Sequence, residues 1–310
     1  MAAQYSEDVQ HRLNKWEEFA ALQPAQPEPQ TIKVSFLDGK TVEGTSFKTT
    51  PMELLKQHYP DLAKTVIVAN VDGVNWDLLR PLEKDCLLQY FDFESKMGKY
   101  VFWHSSAHIL GQAIELVFPN CRLTIGPPIE DGGFYYDVLL PDGKVFTTED
   151  IPKVQDTVNK IIKEKQNFSR LVLTKDQALS MFSGNKFKEQ IIGRIPAEEL
   201  TTAYKNGPLI DLCRGPHILN TGKVMAMKVT RSSSAYWMGY NTQDSLQRIY
   251  GISFPSKKEW TEYKLFLEEA EKRDHRRLCQ QQQLFFFHNL SPGSAFFLPH
   301  GTRIYNKLVD

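Results

Sequence analysis

No charge of either sign dominates this chain, and it contains no long apolar run. Lys plus Arg number 37 and Asp plus Glu number 37, so the molecule lacks the positive surplus that polyanion binders commonly carry. Any nucleic acid must be held by a local patch. No uninterrupted hydrophobic stretch approaches the roughly 20 residues of a membrane-spanning helix. Cysteine is scarce: Cys86, Cys121, Cys213 and Cys279 are scattered with no C-x-x-C pair, which argues against a disulfide framework and suits a reducing compartment. Also missing are a G-x-x-x-x-G-K-[ST] phosphate loop, a dinucleotide fingerprint after a strand and a G-x-S-x-G elbow. ATP-driven and serine-hydrolase readings therefore have no anchor. The opening Met1-Ala2-Ala3-Gln4-Tyr5-Ser6-Glu7-Asp8 has no apolar core and carries acids early, unlike a secretory or mitochondrial leader. A cytoplasmic protein is expected.

What is present is an ordinary globular composition, 41% hydrophobic and 24% charged over 310 residues, enough for two or three folded units. Residues 7–22 place Val9, Leu13, Trp16, Phe19 and Leu22 at helical spacing, and Pro24, Pro27 and Pro29 then stop any helix. Residues 1–30 therefore read as an appendage with a linker. From Thr31 the pattern alternates through Ile32, Val34 and Phe36 to an Asp38-Gly39 hairpin turn. A helix capped by Thr50 with Pro51 at its first position follows, then Val66–Ala69, a second Asp72-Gly73 turn before Trp76, and Cys86–Phe91. Strand, strand, helix, strand, strand over residues 31–93 has the size and order of a ubiquitin-like β-grasp domain.

Residues 94–255 read as a larger α+β domain. Its first helix carries Ala107, Leu110, Ile114 and Val117, and strands are expected at Arg122–Ile125 and Phe134–Leu140, around the glycine pair Gly132-Gly133. A second amphipathic helix spans 148–166. Residues 256–278 form one charge-laced helix with Trp260, Tyr263, Leu267 and Ala270 on a face. Ser291-Pro292-Gly293-Ser294 reads as a turn, and a helix starting at Gly301 reaches Asp310 without a stop signal, so the chain is expected to be a fragment of a longer one.

Two pairs of residues could carry chemistry. In His104-Ser105-Ser106-Ala107-His108 the imidazoles lie four apart on one helix face and can converge on a point, a spacing suited to metal ligation or paired acid and base work. A zinc protease would need a glutamate inside the motif, where Ser105 and Ala107 stand. In Asp211-Leu212-Cys213-Arg214-Gly215-Pro216-His217 a Gly-Pro turn can aim Cys213 and His217 inward. Two His plus Cys plus His is a tetrahedral zinc ligand set; equally, the same residues make a polar pocket that handles protons, with Asp211 as acid partner. Tyr135, Tyr136, Tyr204 and Lys188 could line it, although aromatics at strand spacing are usually core. Lys160, Lys163, Lys165 and Arg170 could form a strip for phosphates, but Asp156 and Glu164 interrupt it and a solvated face is the plainer reading.

These motifs, with Gly126-Pro127-Pro128-Ile129-Glu130, Gly133-Phe134-Tyr135-Tyr136-Asp137, Ser233-Ser234-Ala235-Tyr236-Trp237 and Leu246-Gln247-Arg248-Ile249-Tyr250-Gly251, resemble the N-terminal half of threonyl-tRNA synthetases, the eukaryotic cytosolic type most. The resemblance runs from about Thr31 to Asp310. It implies a TGS domain at 31–93, an editing domain at 94–255 with a central, mostly antiparallel sheet, a linker helix at 256–280, and at 281–310 the truncated start of a class II catalytic domain. The aminoacylation motifs would lie beyond it. Gly132-Gly133 departs from the family, which usually has one glycine there.

The resemblance also implies an activity. Threonine and serine differ by a methyl that a pocket discriminates by only roughly 1–3 kcal/mol, so a second site must hydrolyse the wrong product. The editing domain would deacylate seryl-tRNA(Thr), with His104, His108, Lys188, Asp211, Cys213 and His217 as its functional set and Tyr136 and Tyr204 lining a pocket too small for threonine. His104 and Lys188 would hold water and ribose hydroxyls, and Asp211 the substrate ammonium. No metal or other cofactor is implied for editing; ATP and zinc belong to the absent catalytic domain. The implied partner is tRNA(Thr), charged with serine at its 3′ end, with no membrane; the full-length protein would be a homodimer and this piece a monomer. A zinc-dependent alanyl-type editing factor and a non-catalytic RNA-binding module are the alternatives.

Overall fold

The computed structural model describes residues 5–130 and 132–310; the leader reading over Met1–Gln4 lies outside them. These residues form two units, one ending at Pro255 and one running from Ser256 to Asp310. The first opens with helix α1 (Glu7–Ala21), followed by strands β1 (Thr31–Phe36) and β2 (Thr41–Thr45), helix α2 (Pro51–His58), and strands β3 (Val66–Val71), β4 (Val74–Trp76) and β5 (Cys86–Asp92). Their sheet has the order β2-β1-β5-β3-β4, with β1 and β5 parallel and the other neighbours antiparallel. The local signals act as expected. Gly39 takes a φ of +85° at the first turn, a conformation glycine adopts without steric cost. Thr50 and Glu53 form a reciprocal capping box at the start of α2, which satisfies two otherwise orphaned amides. Val34, Leu55, Ala69, Leu82 and Leu88 fill the core. The short strand β4 had not been expected as a separate element.

The larger domain begins with helix α3 (Lys96–Val117), then strands β6 (Arg122–Leu123) and β7 (Phe134–Leu139), helix α4 (Ile151–Glu164), strand β8 (Ser169–Leu173), helices α5 (Lys175–Met181) and α6 (Lys186–Gly193), and strands β9 (Thr201–Asn206), β10 (Leu209–Leu212), β11 (Ala226–Tyr236) and β12 (Ser245–Phe254). The α+β class is as expected. The strands form two antiparallel sheets, β11-β12-β7-β6 and β10-β9-β8, rather than one central sheet. Helix α3 touches β7 and β12 of one sheet and β10 of the other, which explains why most of its circumference is buried. Small residues make that possible: a Cβ on Gly111 would stand 2.7 Å from the Tyr136 ring, and one on Gly126 2.5 Å.

Two positive-φ glycines, Gly132 and Gly133, form the turn into β7, closed by Gly132 N–H to Ile129 O at 3.0 Å and Ile129 N–H to Gly133 O at 2.9 Å. Both glycines are accommodated in the turn, and Tyr136 remains the inward-facing tyrosine of the pair.

Helix α1 is not a detached appendage. Trp16 and Phe19 lie in one core cluster with Leu171, Leu173, Ala203 and Ile210, and the buried Arg12 guanidinium pairs with Glu115 of α3. Arg12 also donates to Ile210 O at 3.4 Å. The amphipathic stripe of α1 was readable; its partner surface, more than a hundred residues away, was not.

In the second unit the expected single helix is two, α7 (Lys257–Lys272) and α8 (His275–Gln281), because the Asp274 side chain accepts the Arg276 amide and starts a new helix. The predicted turn at residues 291–294 lies instead within strand β14 (Ser291–Phe297), which pairs with β13 (Phe285–His288). The last element, α9, runs Pro299–Val309. Among the described residues no helix is long and apolar enough to cross a membrane.

Removing one partner of a buried ion pair leaves the other charge uncompensated, which costs about 3–5 kcal/mol. Arg12→Ala is therefore expected to lower urea stability by that order, and Arg12→Met with Glu115→Leu by much less. Equal losses in the single and double variants would show that the pair does not hold α1 in place.

Candidate active site

The helical spacing of His104 and His108 brings their rings together at 5.3 Å. The segment after β10 meets them: Cys213 Sγ lies 3.4 Å from His104 Nε2 and 3.2 Å from His217 Nε2. The His217 ring sits at the centre, 4.8 Å from His104 and 4.3 Å from His108, stacked on Phe168 at 4.7 Å and edge-on to Tyr204 at 4.6 Å. Gly215 bends the chain between Cys213 and His217 with a φ of +66°, and a Cβ there would fall 2.2 Å from the Tyr204 hydroxyl. Only glycine fits.

Proton positions follow from the hydrogen bonds. The Ser105 hydroxyl donates to Val101 O at 2.7 Å and accepts from Ile218 N–H at 3.0 Å. Having one proton, already given, it accepts from His217 Nδ1 at 3.0 Å, so His217 Nε2 presents its lone pair to the Cys213 thiol. Burial pushes that thiol up, so it stays protonated despite the Gly215 amide pointing at it. Burial likewise pulls His104 down to about 4 and His108 to about 3, against the opposing pull of Asp211, and holds His217 well below its ordinary value. All four groups are neutral at pH 7.

Beside this uncharged cluster stands a buried ion pair. Lys188, on α6, pairs with Asp211 at the end of β10, the Tyr136 hydroxyl donates to the same carboxylate, and His108 Nε2 lies 3.9 Å from it. Burial alone would raise the Asp211 carboxyl; the charge of Lys188, with His108 and the Tyr136 hydrogen bond, outweighs it and leaves Asp211 below the usual range. Asn185 caps α6 by accepting the Phe187 and Lys188 amides, which fixes where Lys188 starts. Tyr204 faces the cluster with its ring, while its hydroxyl donates to Asp77 at 2.6 Å. All eight residues predicted for the site are thus brought together.

Sequence reasoning missed Asp77, Ser105 and Phe168. Asp77 belongs to the β-grasp domain, where its other oxygen accepts the His217 amide at 2.8 Å; no local motif marks it. Ser105 lay inside the histidine motif, but its reach to His217 is a tertiary contact.

His104, His108, Cys213 and His217 offer ligand atoms within 4.8 Å of one another. The atom types suit zinc, whose bonds of about 2.0–2.3 Å need those atoms no more than about 3.8 Å apart. Zinc-bound imidazoles almost always have their second nitrogen held, whereas Nδ1 of His104 and of His108 are buried without a partner. That pair fits a polar guest better than a metal's outer shell.

The profile described as the TGS domain matches residues 32–91, and that of the "Threonyl and Alanyl tRNA synthetase second additional domain" matches residues 201–250. The chain is 49% identical over 308 residues to a probable cytoplasmic threonine-tRNA ligase 1 of Dictyostelium discoideum, covering 97% of this chain and 43% of that protein. It is 49% identical over 286 residues to the human cytoplasmic threonine-tRNA ligase 1, covering 92% and 39%, and 51% over 281 residues to the mitochondrial threonine-tRNA ligase 1 of Arabidopsis thaliana, covering 90% and 39%. Fold, site and matches together define a TGS domain joined to a synthetase editing-type domain. Over nearly its whole length the chain matches the N-terminal region of threonyl-tRNA synthetases. It spans about two-fifths of the length of these relatives.

Histidines kept neutral by folding but free to charge on unfolding make stability depend on pH. With native values of about 4 for His104 and about 3 for His108, the unfolded chain binds more protons below the ordinary histidine value of about 6.5, so stability rises with pH from about 4 to 6.5 and is complete above it. Urea midpoints measured across that window should fall on acidification, and His104→Gln should flatten the slope. An unchanged slope in that variant would refute a neutral, buried His104.

Proposed function

We propose that this chain hydrolyses the ester of seryl-tRNA(Thr), releasing serine and tRNA(Thr), as the editing part of a cytoplasmic threonyl-tRNA synthetase. The observation that carries the reading is the juxtaposition of an uncharged imidazole cluster, two of whose nitrogens are unpartnered, with a buried Lys188–Asp211 pair. Ester hydrolysis by water needs a proton acceptor for the attacking water and fixed charge for a substrate that carries an ammonium and ribose hydroxyls. A neutral imidazole has a free lone pair for that proton, and the Asp211 carboxylate favours the protonated ring against the burial that otherwise makes it a weak base. Water adds to the carbonyl carbon as its proton passes to an imidazole, and the bond to the ribose oxygen breaks as that oxygen takes a proton back. His104 is the one member of the cluster that is not fully buried, which suits it to meet the incoming ester. Lys188 would hold the water or ribose hydroxyls. Asp211 retains acceptor sites beyond those used by Lys188 and Tyr136, and these would take the serine ammonium. The buried Tyr136 and Tyr204 rings would bound the space taken by the amino-acid side chain and so oppose a further methyl.

The atom types of His104, His108, Cys213 and His217, though not their spacing, support one second reading, a zinc-dependent editing site of the alanyl type. A single measurement separates them: single-turnover serine release from seryl-tRNA(Thr), beside threonyl-tRNA(Thr), with and without a zinc chelator. Hydrolysis of the serine ester alone, insensitive to chelator, is expected. His104→Ala and Asp211→Asn should slow it by about 10²–10⁴-fold with circular dichroism unchanged, and Cys213→Ser should be mild. Severe loss in Cys213→Ser together with chelator inhibition would establish the zinc site, and loss of the folded signal would make these residues structural.

A further inference from the structure

A cavity of about 520 Å³ lies between the β-grasp domain and the larger domain, lined by Phe47, Asp77 and Arg80 on one side and by Asn167, Phe168 and Arg170 on the other. Its volume is in the range that holds a nucleotide-sized ligand. Phe168 and Asp77 belong to both the cavity and the candidate site, since Phe168 stacks on His217 and Asp77 accepts the His217 amide.

The strand register ties the two places together. Arg170 pairs with Tyr204 across β8 and β9, and Tyr204 pairs with Asp211 across β9 and β10. Directly paired residues point to the same face of a sheet, so Arg170, Tyr204 and Asp211 form one row. At about 4.8 Å per strand, Arg170 stands roughly 10 Å from Asp211 along it.

Arg80 and Arg170 share the cavity with the carboxylates of Asp77 and Glu83, and each carboxylate already has its own hydrogen-bond donors. Arg80 stacks on the Trp76 indole at 3.4 Å and bonds Glu83 at 2.8 Å. Both Asp77 oxygens are occupied, by the Tyr204 hydroxyl and the His217 amide. Among the described residues no carboxylate pairs with Arg170. Burial and the neighbouring charge of Arg80 pull its guanidinium below the ordinary value, outweighing the opposing pull of Tyr204, Asp77 and Glu83. A half-buried arginine with no carboxylate in direct contact, beside a second arginine in a nucleotide-sized cavity, keeps its donors free for an oxyanion.

We propose that this cavity binds a phosphodiester of the substrate RNA strand, upstream of the esterified nucleoside, with Arg170 as the principal contact and Arg80 in support. The assignment rests on the reading that an aminoacyl-tRNA end occupies the neighbouring site. Arg170 then grips the strand and takes no part in the chemistry.

The test compares wild type with Arg170→Gln, Arg170→Lys and Arg80→Gln. The first arm is equilibrium binding of a labelled, uncharged acceptor-stem RNA ending in single-stranded CCA, measured by fluorescence anisotropy over a salt series. Arg170→Gln should weaken binding by about fivefold to tenfold and reduce the slope of log affinity against log salt by about 0.7, the value for one single-strand phosphate contact. Arg170→Lys should restore most of both. The second arm is single-turnover hydrolysis: the half-saturating seryl-tRNA(Thr) concentration should rise in Arg170→Gln with the plateau rate unchanged, and the serine ester of adenosine, which has no phosphate, should be cleaved equally by both proteins. The proposal is overturned if wild type does not bind the RNA, if Arg170→Gln binds it equally with the same salt slope, or if the plateau and adenosine-ester rates fall with affinity. If wild type binds the RNA but hydrolyses neither ester, the deacylase reading fails and the binding arm still decides the cavity.

Discussion

Everything in the first unit is arranged around one costly object, the ion pair of Lys188 and Asp211 taken out of water. Desolvating two such ions costs several kcal/mol each, and their attraction repays it only where geometry is good and remaining hydrogen-bond capacity is met. The surroundings supply that. Tyr136 gives its hydroxyl to Asp211, which requires the Tyr136 ring to lie deep between α3 and the 126–133 turn, and glycines at 111 and 126 are what leave it room. The Asn185 cap sets the start of the helix that delivers Lys188. Helix α1 presses on the strand that delivers Asp211 through Ile210.

The imidazole cluster gains its character from the same arrangement. Three histidines and a thiol within van der Waals range would be unworkable if charged, because each protonated ring would destabilise the others in a poorly screened interior. Burial keeps them neutral, and the charged pair beside His108, Lys188 with Asp211, nearly cancels. The result is a polar, uncharged surface next to a local dipole. A proton arriving on an imidazole there would be stabilised by Asp211, while the resting state carries none.

Local pattern revealed part of this. The four-residue spacings of His104 with His108 and of Cys213 with His217 were visible because each pair depends on one helix face or one turn. The hairpin turns, the Thr50 cap and the amphipathic stripe of α1 were visible for the same reason. Asp211 was visible only as an acid beside the Cys213–His217 segment and Lys188 only as one lining candidate among several; their pairing was not visible, since nothing local distinguishes them from solvated charges. Asp77, Phe168 and the destination of Arg12 were not legible: Asp77 and Arg12 act on residues more than a hundred positions away, Phe168 acts on a ring several elements further along the chain, and periodicity is silent about such contacts. The break between α7 and α8 was missed because the capping role of Asp274 competes with a charge-rich helical pattern that continues through it.

Asp77 has a consequence for how such a molecule can be inherited. The two domain families it combines occupy separate stretches, 32–91 and 201–250, and look like units that could be exchanged independently. One carboxylate prevents that. It anchors the backbone of His217 and the hydroxyl of Tyr204 from outside the domain to which both belong, so a lineage that swapped its β-grasp module for another would orphan two buried donors at the heart of its neighbour. The two modules of this chain are therefore not interchangeable parts: whatever replaced the first would have to bring a carboxylate to the same place.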